Sequence, residues 1–202
     1  MHIHVFGASG SGTSTLGRAL AAPLEAAFFD ADDFYWVKTD PPYQTPRPPS
    51  ERRDALVAAV DGLPSWIVAG SMMGWGDVLI PALDLAVYVS IRPELRLARL
   101  RAREEARFGA RLAPGGDMHA DHLHFMAWAA SYEDGGLDVR SRASHARWME
   151  LLCCPVLRIE GDLTTEERVR RVMEAAAQTR RRPRRSDRRS VRRDAPPQRP
   201  SE

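Results

Sequence analysis

The sequence predicts an α/β fold in which helices cover both faces of a parallel sheet. Segments with the composition of β-strands alternate with segments of helical pattern along the chain. Residues 83–90 are almost continuously apolar, which is typical of a central strand in a parallel sheet. A length of 202 residues is sufficient for one such domain with a substantial core.

The order of elements follows from local patterns and from glycine and proline residues. Strands are predicted at residues 2–6, 27–30, 66–69, 83–90 and 155–159. Helices are predicted at residues 14–22, 50–60, 93–107, 118–132 and 138–151, with a last helix after residue 164. Ser50 is a plausible N-cap, and Thr164 with Glu167 forms a capping box for the last helix. The proline-rich residues 38–49 are predicted to be a loop.

Composition restricts the partners and the compartment. No apolar run approaches the length needed to span a bilayer, so we expect no membrane partner. The first residues read as a strand that runs directly into a glycine loop, and not as a signal peptide, so we expect a cytoplasmic protein. We expect it to act as a monomer.

Residues 178–202 differ from the rest of the chain. They hold ten of the 29 basic residues and three of the 27 acidic ones, with almost no apolar residues. Such a segment cannot bury enough surface to offset the entropy of ordering, so we predict a domain over residues 1–177 and a disordered tail. The tail is either inert or a weak nucleic-acid contact; otherwise no nucleic-acid partner is expected.

A glycine-rich loop lies between the first predicted strand and the first predicted helix. Glycines there let the backbone amides turn inward, and together with a helix N-terminus they form a cradle for phosphate groups. In the pattern G-x-x-x-x-G-K-[ST], Ser14 occupies the position of the hydroxyl that binds Mg²⁺. Thr13 occupies the position of the lysine and offers only a hydroxyl. The predicted nucleotide-binding residues are Gly7, Ser9, Gly10, Ser11, Gly12, Thr13, Ser14 and Thr15.

This loop carries a resemblance to known families. The chain resembles the adenylate-kinase-like and the shikimate- and gluconate-kinase-like P-loop families over about residues 2–177. More narrowly, it is similar to bacterial and archaeal adenylate-kinase-like ATPases whose loop reads GASGSGT without the lysine. The resemblance implies a three-layer P-loop NTPase fold with a five-stranded parallel sheet of order 2-3-1-4-5. It also implies ATP and Mg²⁺ as cofactors, and transfer of the γ-phosphate to a small-molecule or nucleotide acceptor.

Three carboxylates follow the second predicted strand. Ligands of open α/β sheets sit beyond the carboxyl ends of the strands, where phosphoryl transfer needs acids for Mg²⁺ and for the acceptor hydroxyl. The Asp-x-Asp-Asp pattern in this place also resembles the shikimate and gluconate kinases. We therefore assign Asp30 or Asp32, with Ser14, to Mg²⁺, and Asp32 or Asp33 to the acceptor. The alternative is a solvated aspartate-rich turn.

Arginines recur at three- and four-residue steps through the helix predicted at residues 93–107 and just beyond it, so they share one face. They could simply pair with Glu94, Glu104 and Glu105. In the families that the chain resembles, an arginine-bearing lid closes over ATP at this place, here about residues 103–117. Since Thr13 carries no charge, we expect arginines to supply the cation for the γ-phosphate. The chosen residues are Arg99, Arg103 and Arg140.

The acceptor is less well defined. Nucleoside-monophosphate kinases usually carry an arginine in the turn after the third strand, but residues 70–75 contain none. This argues against a nucleotide acceptor. The alternatives to a kinase are a nucleotide-binding switch or pseudokinase without phosphoryl transfer, and a P-loop regulator that binds nucleic acid through its basic tail.

Overall fold

The computed structural model describes residues 1–181. Its five strands form one parallel sheet in the order β2-β3-β1-β4-β5, which confirms the predicted fold class and strand order. The strands are β1 His2–Gly7, β2 Ala27–Asp30, β3 Trp66–Ala69, β4 Leu85–Ser90 and β5 Val156–Glu160. The helices are α1 Thr13–Ala21, α2 Ala31–Tyr35, α3 Pro49–Val60, α4 Pro93–Phe108, α5 His119–Ala130, α6 Arg142–Met149 and α7 Thr165–Arg181.

The pleat of β1 divides the core into two layers. Ile3 and Val5 point to one face, where they pack with residues of α1 and α7 such as Leu16 and Val172. Phe6 points to the other face and packs among residues from α2, α3 and α6, which include Ala31, Leu56 and Trp148. Both faces are therefore covered by helices, as a buried parallel sheet requires.

Several element boundaries differ from the sequence prediction for local reasons. Helix α3 begins at Pro49, whose fixed φ suits a first helical position, so Ser50 lies inside the helix and is not its N-cap. Helix α6 begins at Arg142 because the Ser141 hydroxyl caps it, so residues 138–141 are not helical as predicted. The strand predicted at residues 83–90 is shorter, because a 3-10 helix, Asp77–Ala82, precedes it.

The last helix reaches beyond the predicted end of the domain. The Thr164 hydroxyl accepts from the Glu167 amide at 3.2 Å, and the Glu167 carboxylate accepts from the Thr164 amide at 2.8 Å, which confirms the predicted capping box. Helix α7 then continues to Arg181, so residues 178–181 are helical and not part of a disordered tail. The rest of the predicted tail, residues 182–202, lies outside the described residues. Among residues 1–181, no helix is both long enough and apolar enough to cross a membrane.

Candidate nucleotide and phosphoryl-transfer site

The glycine loop joins the carboxyl end of β1 to α1, and its glycines are required by geometry. Gly10 and Gly12 have φ values of 82° and 94°, in the left-handed region that favours glycine. A Cβ on Gly7 would lie 2.2 Å from the Val89 carbonyl oxygen of β4, so only glycine allows the loop to pack this closely against the sheet. The loop therefore has the turn, the strand before it and the helix after it that a phosphate cradle needs.

Three arginines from distant parts of the chain donate hydrogen bonds to this loop. Arg96 of α4 donates to the Ser9 carbonyl at 3.3 Å, and Arg168 of α7 donates to the Ser11 carbonyl at 2.9 Å. Arg140, which immediately precedes the cap of α6, donates to the Ser9 hydroxyl. These bonds occupy the loop carbonyls and surround the cradle with positive charge.

A cavity of about 410 Å³ lies beside the loop. Its walls come from the loop and first turn of α1, from one face of α4, and from the segment that leads from β5 into α7. The lining residues are Gly10, Gly12, Thr13, Ser14, Thr15, Leu16, Arg99, Leu100, Arg103, Leu163, Thr164, Thr165 and Arg168. The structure thus brings two of the three chosen arginines, Arg99 and Arg103, to the same cavity as the glycine loop.

The carboxylates after β2 do not form a plain turn. Asp30 accepts from the Asp32 amide at 3.2 Å and thereby caps α2, a short helix that sequence reasoning missed. Asp32 and Asp33 lie in the first turn of that helix, and Asp30 also lies 3.7 Å from Arg18 of α1. The three acids are therefore held at the carboxyl end of β2.

Asp32 is linked electrostatically to the arginines around the loop. Asp32 keeps an exposed surface, yet desolvation by the surrounding protein, together with the charge of Asp30, raises the pKa of its carboxyl above the usual value. The positive charges of Arg140 and Arg103 act in the opposite direction on this pKa. Asp32 is therefore close enough to Arg140 and Arg103 to be affected by their charges.

The face of α4 serves several purposes. Arg96 is buried and Arg103 lines the cavity, whereas Arg107 lies over the ring of Tyr43 in the proline-rich loop, at 5.1 Å. Both Arg103 and Arg107 come within 4.0 Å of the Glu104 carboxylate, so part of the solvated-helix alternative holds. Of the proposed lid, residues 103–108 belong to α4, and a 3-10 helix, Gly109–Leu112, follows.

Around the first turns of α3, arginines make contacts within the protein. Arg52 is buried, stacks on Tyr35 at 3.9 Å and donates to the Arg47 carbonyl. Arg53 pairs with its neighbour Asp54. Trp75 is buried in the core and donates to the Ser71 carbonyl. Arg52 and Trp75 are therefore committed to the fold, whereas Arg53 is engaged only in an exposed ion pair.

Sequence reasoning also missed a buried polar chain behind Arg140. Tyr88 of β4 and Tyr132 share a hydrogen bond of 2.9 Å, and the Tyr132 hydroxyl lies 2.8 Å from Nδ1 of His145. Nε2 of His145 lies 3.2 Å from the hydroxyl of Ser71, at the carboxyl end of β3. No local sequence signal joins these positions, which are far apart in the chain.

Two buried histidines make the fold sensitive to acid. Burial lowers the pKa of His4 from 6.5 to about 4, and burial with the charge of Arg140 lowers the pKa of His145 from 6.5 to about 3. The unfolded chain therefore binds more protons below pH 6.5, so stability present at neutral pH is lost as the pH falls. Each histidine should lower the free energy of unfolding by about 2 kcal/mol as the pH falls from 6.5 to 5.

Urea titrations at a series of pH values measure this loss. The slope of the unfolding free energy against pH reports how many more protons the unfolded chain binds than the folded one. His4→Leu should lower that number by about one. His124→Leu, at an exposed position of α5, is the matched substitution of a surface histidine. Equal slopes for the His4 variant and the wild type would show that His4 does not titrate as the structure requires.

Comparison with known proteins assigns the class of this fold. Over 90% of this chain and 95% of the other, it superposes on the shikimate kinase from Acinetobacter baumannii in complex with shikimate, with a TM-score of 0.53 and 16% identity. The shikimate kinase from Bacteroides thetaiotaomicron covers 88% of this chain, over 98% of its own length, with a TM-score of 0.51 and 17% identity. The chain therefore has the P-loop kinase fold.

The family is given by sequence similarity. The chain is 42% identical over 173 residues to uncharacterized protein YqaC of Bacillus subtilis (strain 168), which covers 86% of this chain and 96% of the relative. The chain belongs to the same family as YqaC. No protein-family model matches it.

Proposed function

We propose that this protein transfers the γ-phosphate of ATP to a hydroxyl group of a small-molecule acceptor. The observation that carries the proposal is that Arg140 binds Ser9 of the glycine loop and Arg103 lines the cavity beside it, while both arginines act electrostatically on Asp32. A donor cradle, cations for the transferring group and an acceptor-side carboxylate are the three parts that phosphoryl transfer requires. The P-loop kinase fold is consistent with this function. We also propose that the protein acts in the cytoplasm, where ATP is available.

The nucleotide is assigned to the cavity beside the loop. The amides of residues 9–15 and the N-terminus of α1 bind the phosphates, since both present positive potential to an anion. Leu163, a partly buried residue on the segment that leads into α7, offers apolar surface for a base. Thr13 at the start of α1 contributes a hydroxyl, and positive charge comes from the surrounding arginines.

Mg²⁺ is the cation that the proposed reaction needs, and the oxygen ligands on offer are the Ser14 hydroxyl and the carboxylates that follow β2. It prefers oxygen ligands, keeps several waters and needs one or two carboxylates from the protein. Ser14 lines the cavity, and Asp30 lies close enough to Asp32 to raise its pKa, a repulsion that a cation relieves. We assign Ser14 and Asp30 to the ion, with Asp32 able to share it. When bound, Mg²⁺ neutralises charge on the phosphate oxygens.

Asp32 is assigned to the acceptor. In the proposed reaction, the acceptor oxygen forms a bond to the γ-phosphorus as the bond to the ADP oxygen breaks, and Asp32 takes the hydroxyl proton. Asp33, one residue further along α2, is the alternative base. Because residues 70–75 carry no arginine, and Arg52 and Arg53 are held by the protein, a neutral hydroxylated compound fits better than a nucleotide.

Arg103 and Arg140 should act mainly on the transferring phosphate. Removing either guanidinium by substitution with alanine should lower turnover by about 10²-fold, as for other donors to a developing charge. ATP affinity without acceptor should fall less, because the glycine loop remains intact. Arg101→Ala is the matched control, since Arg101 lies exposed on the same helix. Single-turnover rates measure the effect, and full rates in both variants would contradict the assigned roles.

A screen for ADP release tests the proposed function and searches for the acceptor. Sugars, hydroxy acids and nucleoside monophosphates are each added with ATP and Mg²⁺. We expect release well above the ATP-only background with at least one hydroxylated compound. The uncharged Thr13 favours one competing function, a nucleotide-binding switch without transfer. It would bind ATP but release ADP at the background rate with every compound.

A further inference from the structure

Arg168 is a cation that the proposed reaction has not used. It lies in the first turn of α7, on the wall of the nucleotide cavity, and is 5% exposed. The capping box of Thr164 and Glu167 fixes the start of this helix and therefore the position of Arg168. Its Nη1 lies 3.0 Å from the place that a Cβ on Gly12 would occupy. The guanidinium therefore touches the loop one residue before Thr13.

In the part of the chain that the structure describes, no carboxylate forms an ion pair with Arg168, although the negative charge of Asp162 acts on it from a greater distance. Its Nη1 donates to the Ser11 carbonyl at 2.9 Å and its Nη2 approaches the Gly161 carbonyl at 3.5 Å. In residues 1–181, no carboxylate comes within 4.0 Å of it. Burial, together with the positive charge of Arg99, lowers the pKa of Arg168. A buried cation bound only to carbonyls is costly, and the cost is offset when an anion enters the cavity.

We propose that Arg168 is a fixed phosphate-binding cation of the nucleotide site, which takes over the electrostatic role that Thr13 cannot fill. The inference rests on the proposed function, because its ligand is the polyphosphate chain of ATP. Arg168 acts at a different step from Arg103 and Arg140. Arg168 is held against the loop by α7, so it acts when the nucleotide binds and does not depend on lid closure or on an acceptor.

Binding measured without acceptor separates this role from catalysis. Arg168→Met keeps an unbranched chain in the buried position but removes the charge, and Arg168→Lys restores a charge. Arg171→Gln, at an exposed position of the same helix, is the control for loss of one positive charge. Isothermal titration with ATP and with inorganic tripolyphosphate reports the affinity, and thermal unfolding of each variant reports the fold.

We expect Arg168→Met to lower the affinity for both ligands by about 10- to 100-fold, as for loss of a charge-assisted contact. Arg168→Lys should recover part of the affinity, and Arg171→Gln should match the wild type. Unchanged affinity in a folded Arg168→Met variant would overturn the inference and leave the proposed function standing. Loss of ATP affinity with unchanged tripolyphosphate affinity would also overturn it, because Arg168 would then contact the base or ribose. A wild type that binds neither ligand would overturn the proposed function and this inference together.

Discussion

Substitution of Asp32 by asparagine is expected to lower the rate of phosphoryl transfer by about 10³-fold, within the range of general-base contributions. The amide keeps the shape of the side chain but can neither accept the acceptor proton nor share a cation. The fold should be unaffected, because Asp30, and not Asp32, supplies the side chain that caps α2. ATP affinity should stay within a few-fold of the wild type, since the loop and its arginines are unchanged.

Asp61→Asn is the control for this substitution. Asp61 is exposed at the C-terminal end of α3, which leads into the start of β3, whereas Asp32 follows the carboxyl end of β2. The rate of phosphoryl transfer in Asp61→Asn should equal that of the wild type. If Asp32→Asn transfers phosphate at the full rate, the base is another group, and Asp33→Asn becomes the decisive variant.

Replacement of Gly12 by valine should abolish measurable ATP binding at ordinary concentrations. Gly12 has a φ of 94°, which a β-branched residue adopts only at a cost of about 1–3 kcal/mol. Its Cβ would also press on Nη1 of Arg168 at 3.0 Å and disturb the bond to the Ser11 carbonyl. Together these changes should lower the affinity for ATP by about 10²-fold or more, since each factor of ten in affinity corresponds to about 1.4 kcal/mol.

The matched glycine is Gly136. A Cβ there meets no atom within 4 Å and its φ is not positive, so Gly136→Val should bind ATP normally. Helical circular dichroism should be similar for both variants and the wild type. Wild-type affinity in Gly12→Val by isothermal titration would show that ATP binds elsewhere.

The arrangement of strands could be predicted because its signals are strong. The almost continuously apolar run of residues 83–90 predicted a central strand, and the resemblance to P-loop kinases gave the full strand order, which is confirmed. The capping box of Thr164 is a local signal and is also confirmed. Short elements were missed: α2 has five residues, too few for a periodic pattern, and depends on a cap by Asp30.

The site was only partly predictable for a different reason. Helical spacing correctly placed Arg99 and Arg103 on one face, because positions four residues apart share a face of a helix. Arg168 was not predicted, because its contact with Ser11 joins positions 157 residues apart in the chain. The link between Ser71 and His145 spans 74 residues and is equally invisible in a local pattern. Charge spacing identifies a face, but only the packing of α4, α6 and α7 shows which arginines reach the loop.

The most direct test of phosphoryl transfer is a single-turnover experiment with ATP labelled at the γ-phosphate and enzyme in excess. It is carried out with Mg²⁺ and the hydroxylated compound that releases the most ADP in the screen. The proposed function predicts that the label moves to that compound, and that Asp32→Asn slows the transfer by about 10³-fold while ATP remains bound. Label that stays on bound ATP, or appears only as inorganic phosphate at the background rate with every compound, would contradict it and support a nucleotide-binding switch.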